Sequence, residues 1–318
     1  MKKSKYIVLF SSLILLLGTQ VSCSDSYLEE KPMDKFSPEN LLTSKKGFET
    51  VIYSLHNFAR SGLFQSNNED VMNTGTDVAC SGVTDGRFFN DYSLILPEHA
   101  TPKFYWNWAY QKMLKDANLV ITRAENPNVS WTEDKKNAIV AEAKFFRAYT
   151  YNILVNLFGG VPIVDKEELS PRFDYTRASR KEVLEFIQKD LEFAAQYLPI
   201  VTSEASQDGR IFRAAANHLL SEVYISLGQE TGDLSFYDKS IAAATVVING
   251  EYSLVKSRFG DTSRPGDYYS DLFWTNQQNR ASGNKEGIWV IQFEYLTPGA
   301  EEANNAQLRL WGPKIEDV

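Results

Sequence analysis

The stretch Ala141-Glu142-Ala143-Lys144-Phe145-Phe146-Arg147-Ala148-Tyr149, running on to Leu157-Phe158-Gly159-Gly160-Val161-Pro162, decides the fold. Ile139, Ala143, Phe146, Tyr149, Ile153 and Leu157 recur at steps of three and four, the period of one helix face. Ala141, Ala143 and Ala148 are small enough to admit a second helix at close range. Gly159-Gly160 ends the run, and Pro162 prevents its continuation. The spacing predicts one long helix over 133–158. Phe145, Phe146 and Tyr149, with Trp106 and Trp108 upstream, read as core. Glu142 and Arg147 stand five apart, off a shared face, and read as structural residues that fix helix ends or neighbouring loops.

Outward from this helix the pattern repeats. Residues 44–58 carry Phe48, Ile52 and Leu55 at helical spacing, and 104–123 carry Trp108, Met113, Ala117, Val120 and Ile121. Ser179 and Glu182 form a capping-box pattern opening a helix that Pro199 stops. Residues 211–227 follow, closed by Gly228, and then 236–248, closed by Asn249-Gly250. Leu219-Leu220…Tyr224…Leu227-Gly228 followed by Tyr237…Ala242-Ala243…Val246-Val247 is close to the tetratricopeptide helix–turn–helix pattern. A helix pair of this kind cannot bury its apolar face alone, so neighbours must stack. The expected pairs are 104–121 with 133–158, and 179–198 with 211–227. The expected class is mainly α: a TPR-like helical repeat scaffold with long irregular binding loops and a short β element near the C-terminus. The β element is 288–295, where Trp289, Ile291, Phe293 and Tyr295 alternate onto one face.

Two stretches break the helical rhythm. Residues 62–100 hold Asn67, Asn68, Asn73, Gly75, Gly82 and Gly86 with few periodic apolar positions, and 252–284 hold Pro265-Gly266 among many polar residues. Connections this long are usually functional, because loops on a rigid scaffold carry binding.

Composition removes several classes. The 318 residues include 33 Lys and Arg against 41 Asp and Glu, a net charge of −8, which disfavours a phosphate-tracking nucleic-acid protein. Cys23 and Cys80 cannot build a disulfide framework, and Cys80 reads as a small structural thiol. His56, His99 and His218 stand far apart, so no metal site is expected, and nothing in the chain asks for a cofactor. No nucleophile elbow, P-loop or dinucleotide fingerprint occurs, and no motif marks a glycosidase acid and nucleophile. No enzyme activity is expected.

The N-terminus reads as an address. Lys2, Lys3 and Lys5 precede the apolar stretch 6–17, which is too short for a comfortable membrane span. Ser22 directly before Cys23 resembles a lipoprotein box, in which the Cys becomes the lipidated first residue. Gln20 stands where that box usually has Leu, and an ordinary signal peptide cut near Cys23 is the other reading. Loss of residues 1–22 removes three lysines and no acid, leaving a charge of −11. The expected organisation is 1–22 a lipoprotein signal peptide, 23–40 an acidic tether and 41–318 the helical repeat domain.

At this point the residues resemble the SusD/RagB-like surface lipoproteins. Cys23, then Leu28…Lys31-Pro32, then Trp108…Tyr110…Asn118 follow the family's order. The 141–162 motif is the most specific part. Arg180…Ile187…Asp190-Leu191…Ala194…Leu198-Pro199, Ala214…Leu219-Leu220…Tyr224, Tyr252-Ser253-Leu254 and Asn284-Lys285-Glu286-Gly287-Ile288 complete the series. The resemblance covers nearly the whole chain. Family members continue well beyond residue 318, so the chain is expected to be a fragment, truncated in its C-terminal region.

The resemblance implies a non-catalytic glycan-binding lipoprotein, anchored by lipid on the outer face of the outer membrane. It would capture oligosaccharides and deliver them to a SusC-like TonB-dependent transporter. Sugar binding needs flat rings for the apolar C–H face of a pyranose and polar side chains for its hydroxyls. The irregular stretches offer both. The first supplies Arg87, Phe88, Phe89, Asn90 and Tyr92, and the second Tyr268, Tyr269, Phe273 and Trp274. The other readings are capture of peptides, a scaffold that binds only the transporter and, more remotely, a glycoside hydrolase.

Overall fold

The computed structural model describes residues 37–64, 98–201 and 209–293, with 76, 77, 91, 93, 95 and 96 between them. The chain divides into two units, residues 1–41 and 42–318. Of the first, the described part is Ser37 and one helical turn, α1 (Pro38–Leu41), with the Ser37 amide donating to Asn40 Oδ1 at 2.9 Å.

The second unit is a stack of helices. α2 (Lys45–Ala59) starts at Ser44, whose hydroxyl accepts from the Gly47 amide, and buries Phe48, Val51, Ile52 and Leu55. α3 (Ala100–Trp108) runs through a π turn at Ala109–Met113 into α4 (Leu114–Arg123). α5 (Glu133–Phe158) has its N-cap at Thr132 and the acids Glu133 and Asp134 in its first turn, where the helix dipole favours them. α6 (Arg180–Tyr197) opens with the reciprocal Ser179–Glu182 capping box. α7 (Arg213–Thr231) and α8 (Ser235–Ile248) complete the series. α5 lies between α4 and α6, α7 packs on α6, and α8 packs on α7. The two expected pairs, α4 with α5 and α6 with α7, are both present. Two short helical turns, α9 (Tyr268–Asp271) and a 3₁₀ turn at Arg280–Ser282, interrupt the segment beyond α8.

The Trp108…Tyr110…Asn118 series and the 141–162 motif form one device. Gly159 takes a φ of 69° at the end of α5, a conformation that favours glycine. A side chain at Gly160 would collide with the Ala178 carbonyl, so the bare backbone lets 160–161 run against 178. The strap that follows is pinned by helix side chains. Tyr110 donates to the Pro162 carbonyl at 2.6 Å, and Asn118 Nδ2 donates to the Val164 carbonyl at 2.8 Å. The Tyr151 hydroxyl accepts from the Val164 amide at 2.7 Å, and Arg123 grips Glu167 through two bonds of 2.6 and 2.9 Å.

Arg147 is the hub. It is buried, pairs with both oxygens of Asp190 at 2.6 and 2.9 Å, and donates from Nη1 to Asn118 Oδ1 and the Asp165 carbonyl. Lys144 adds a third bond to Asp190 at 2.7 Å. The pair is thus hydrogen-bonded to further partners on both sides, the condition under which a buried ion pair is tolerated.

Three expectations change. Gly228 does not end its helix: α7 continues to Thr231 and closes at Gly232 with a φ of 72°. The role of Gly228 is packing, since a Cβ there would press on the Tyr237 ring at 3.0–3.3 Å. Trp106 is not core but 37% exposed, on the rim of a groove. No strand occurs among the described residues, and 288–293 pairs with no neighbouring strand. Burial does not alternate there either: Ile288, Trp289, Val290, Ile291 and Phe293 are all half-buried and Gln292 alone of 288–293 is exposed. Apolar alternation in a sequence does not bring the second chain that a strand ladder needs beside it.

Candidate functional site

The segment after α8 folds on its own polar side chains. Its base is a stem, where the Ser253 amide donates to the Lys285 carbonyl at 3.1 Å and the Val255 amide to Glu286 Oε1 at 2.7 Å. Within the loop the Arg258 guanidinium binds Asp271 Oδ2, the Gly266 carbonyl and the Arg264 carbonyl, all at 2.7–2.8 Å. Asp271 is wholly buried and also accepts from the Phe259 amide at 3.1 Å. The Arg258 hydrogen bond holds the Asp271 carboxyl below the usual carboxylate range. Gln277, also buried, ties the Asp261 amide to the carbonyls of Phe259 and Asp271. Asn284 donates to the Gln278 carbonyl and accepts from the amides of Glu286 and Gly287.

This framework presents aromatic rings. Asp267 caps α9 through its bonds with Ser270, and α9 carries Tyr268 and Tyr269 outward, 45% and 62% exposed. Phe273, one turn on, is 67% exposed and meets the Tyr269 ring edge-on at 5.2 Å. Rings standing in water on a hydrogen-bonded frame are pre-organised for a flat apolar ligand face. Trp274 is placed differently. It is half-buried, the Arg264 guanidinium lies 5.3 Å from its ring, and its Nε1 is enclosed with no acceptor among the described residues. Tyr268, Tyr269 and Phe273 therefore form the open part of this group, and Trp274 is its half-buried member.

The other candidate ring group cannot be placed beside it: Arg87, Phe88, Phe89, Asn90 and Tyr92 lie outside the described residues. So do Cys23, the signal stretch 1–22, the tether up to residue 36 and Cys80. A second concave feature is an open groove of about 510 Å³, lined by Leu96, Pro102, Trp106, Leu157 and Phe158 with Lys103 at its edge. Among the described residues no group of three or more His, Cys, Asp or Glu could hold a metal ion. No helix among them is long and apolar enough to cross a membrane.

A second cluster escaped the sequence reading. Glu142 is buried and binds His56 Nε2 at 2.8 Å and the Arg210 guanidinium through both carboxylate oxygens. Burial pushes its carboxyl up, but His56 and Arg210 outweigh that and hold it below its ordinary value. Beside it, Trp289 meets His56, Phe145, Phe146 and Tyr149 edge-on at 5.5–6.3 Å and donates from Nε1 to the Gly209 carbonyl at 3.2 Å. Burial raises the Tyr149 hydroxyl to about 12. The partners of Glu142 lie 86 and 68 residues away in sequence, beyond the reach of any local pattern.

Residues 26–225 match the SusD-like family described as "Starch-binding associating with outer membrane". SusD-like protein P2 of Formosa agariphila is 28% identical over 302 residues, covering 91% of this chain and 53% of that protein. A SusD-like carbohydrate-binding protein of Bacteroides fragilis superposes with a TM-score of 0.62 at 22% identity, over 80% of this chain and 48% of its own. A structure described as a laminarin-binding SusD-like protein gives 0.52 at 26% identity, over 66% and 44%. The chain spans about half the length of the curated relatives it matches.

Proposed function

Because the chain belongs to the SusD-like family, we propose that it is a non-catalytic, outer-membrane lipoprotein that captures oligosaccharides and passes them to a SusC-like TonB-dependent transporter. The observation that carries this reading is the exposed ring group Tyr268, Tyr269 and Phe273 on a loop fixed by the Arg258–Asp271 pair. A pyranose stacks its C–H face on such rings, and the exposed Asn276, three residues beyond Phe273, supplies an amide for hydroxyls. Trp274 backs the platform. Arg87, Phe88, Phe89, Asn90 and Tyr92 are proposed to complete the surface from the first irregular stretch. Cys23 is proposed to carry the lipid that holds the chain at the outer face of the membrane, where two or more acyl chains anchor stably. A laminarin-binding relative supports a glycan as the ligand class.

The test is electrophoretic retardation of the chain from residue 24 onward, in gels cast with soluble starch, laminarin or other polysaccharides. Retardation without product formation, lost in the Tyr269→Ala/Phe273→Ala double variant, is the expected result. A chain that folds and is retarded by none of the panel, yet binds peptides, would replace the glycan reading by peptide capture. A chain that binds neither and still docks on its transporter would reduce it to a scaffold.

A further inference from the structure

We infer that the ring-bearing segment 252–293 is set on the helical stack by one buried joint, in which Glu142 and Trp289 are the positioning residues. The inference rests on the reading of the 268–273 rings as the glycan contact.

The joint is a chain of dependencies. Trp289 stands on the ring cluster of α2 and α5, and its Nε1 is fixed by the Gly209 carbonyl. That carbonyl belongs to a second strap, residues 209–212 leading into α7, whose next residue, Arg210, is held by Glu142. Gly209 has a φ of 81°, and a Cβ there would press on Gln292, so strap and segment touch closely. Glu142 also receives His56 from α2, and Arg210 reaches the Tyr53 hydroxyl at 3.4 Å. One carboxylate on α5 therefore orients α2, the strap and, through the strap, the indole of the segment. Arg60 over the Phe293 ring at 5.8 Å adds a weaker tie. The cavity where strap and segment meet is about 30 Å³, room for about one water and none for a sugar ring. It works as a seat and not as a binding pocket. The core pair Arg147–Asp190 shares no partner with the joint. Loss of Glu142 accordingly frees the segment while leaving the α4–α5–α6 packing in place.

Amide hydrogen exchange on the full chain in detergent tests this. In Glu142→Gln, exchange across 209–212 and 288–293 should quicken tenfold or more, with α5 and α6 unchanged. Trp289→Phe keeps a ring but loses the donor to Gly209, so it should quicken the same amides less; it also keeps the test open should Glu142→Gln not fold. Because the two residues act in series, the double variant should exchange no faster than Glu142→Gln alone. Unchanged exchange in the segment, or a tenfold rise spread equally over α5 and α6, overturns the joint. Retention in laminarin gels judges the underlying reading separately. Undiminished retention in Tyr269→Ala/Phe273→Ala overturns the ring assignment, whereas retention lost there but kept in Glu142→Gln overturns the positioning role.

Discussion

The strap at 161–178 and the segment at 252–293 are both long irregular connections, and they are held in opposite ways. The strap is fixed from outside: Tyr110 from the π turn, Asn118 and Arg123 from α4, and Arg147 and Tyr151 from α5 reach out to its carbonyls, amide and carboxylate. The segment is fixed from inside, by Arg258, Asp271, Gln277 and Asn284, and meets the helices at Trp289 and Phe293. A loop held by helix side chains cannot change without disturbing the core that supplies them. A loop that holds itself can vary its surface and keep its seat. The second is the arrangement expected of a ligand platform, the first of a structural buttress.

The largest break in this comparison should come from Arg147→Met, which leaves Asp190 buried with Lys144 as its remaining cation. Removing one partner of a buried pair costs about 3–5 kcal/mol. Urea denaturation should show that loss, and a change below ~1 kcal/mol would remove Arg147 from its place as hub. Gly160→Ala should follow, since its new Cβ must displace the Ala178 carbonyl. Overpacking of this kind costs about 1–3 kcal/mol, read in the same denaturation.

The joint responds to pH in a defined direction. Glu142 sits below its ordinary value of 4.5, so its stabilisation is present above that pH and is lost as pH falls through the depressed folded value. Exchange at 288–293 should therefore rise as the solution is acidified below that value, once intrinsic rates are divided out. Glu142→Gln should abolish that rise; a rise persisting in the variant would assign it to another carboxylate. The smallest effect on stability should come from the rings. Tyr269→Ala and Phe273→Ala remove exposed groups and should shift unfolding by no more than about 0.5 kcal/mol. The same changes should weaken glycan retention about tenfold, or ~1.4 kcal/mol. A large loss of stability would reassign these rings to packing.

Most of the helical stack was legible in the sequence, for physical reasons that differ by element. The C-terminal end of α5 follows from Gly159-Gly160, and the start of α6 from Ser179 and Glu182, because caps and stops are local chemistry. Gly228 misled because its work is done against Tyr237, on another helix. Residues 288–293 misled because the pattern of residue types does not say whether a second chain lies beside the stretch. Glu142 and Arg147 were recognised as structural, but their separate tasks depend on His56, Arg210 and Asp190, which only folding assembles. The rings at 268–273 were legible as candidates from composition. Which of them stand open was not, because exposure is decided by Arg264 over Trp274 and by the Arg258–Asp271 frame.

The stem of the segment has one more consequence. Ser253 with Lys285, and Val255 with Glu286, bring the two ends of a thirty-residue excursion together independently of its tip. Once a loop's ends are clamped, lengthening it is thermodynamically mild, about 0.6 kcal/mol for each doubling. Insertions beside the exposed Thr275 would thus enlarge the platform without unseating it. On the proposed reading, the surface offered to a longer or more branched ligand can be changed by adding residues at the tip, with the helices left as they are.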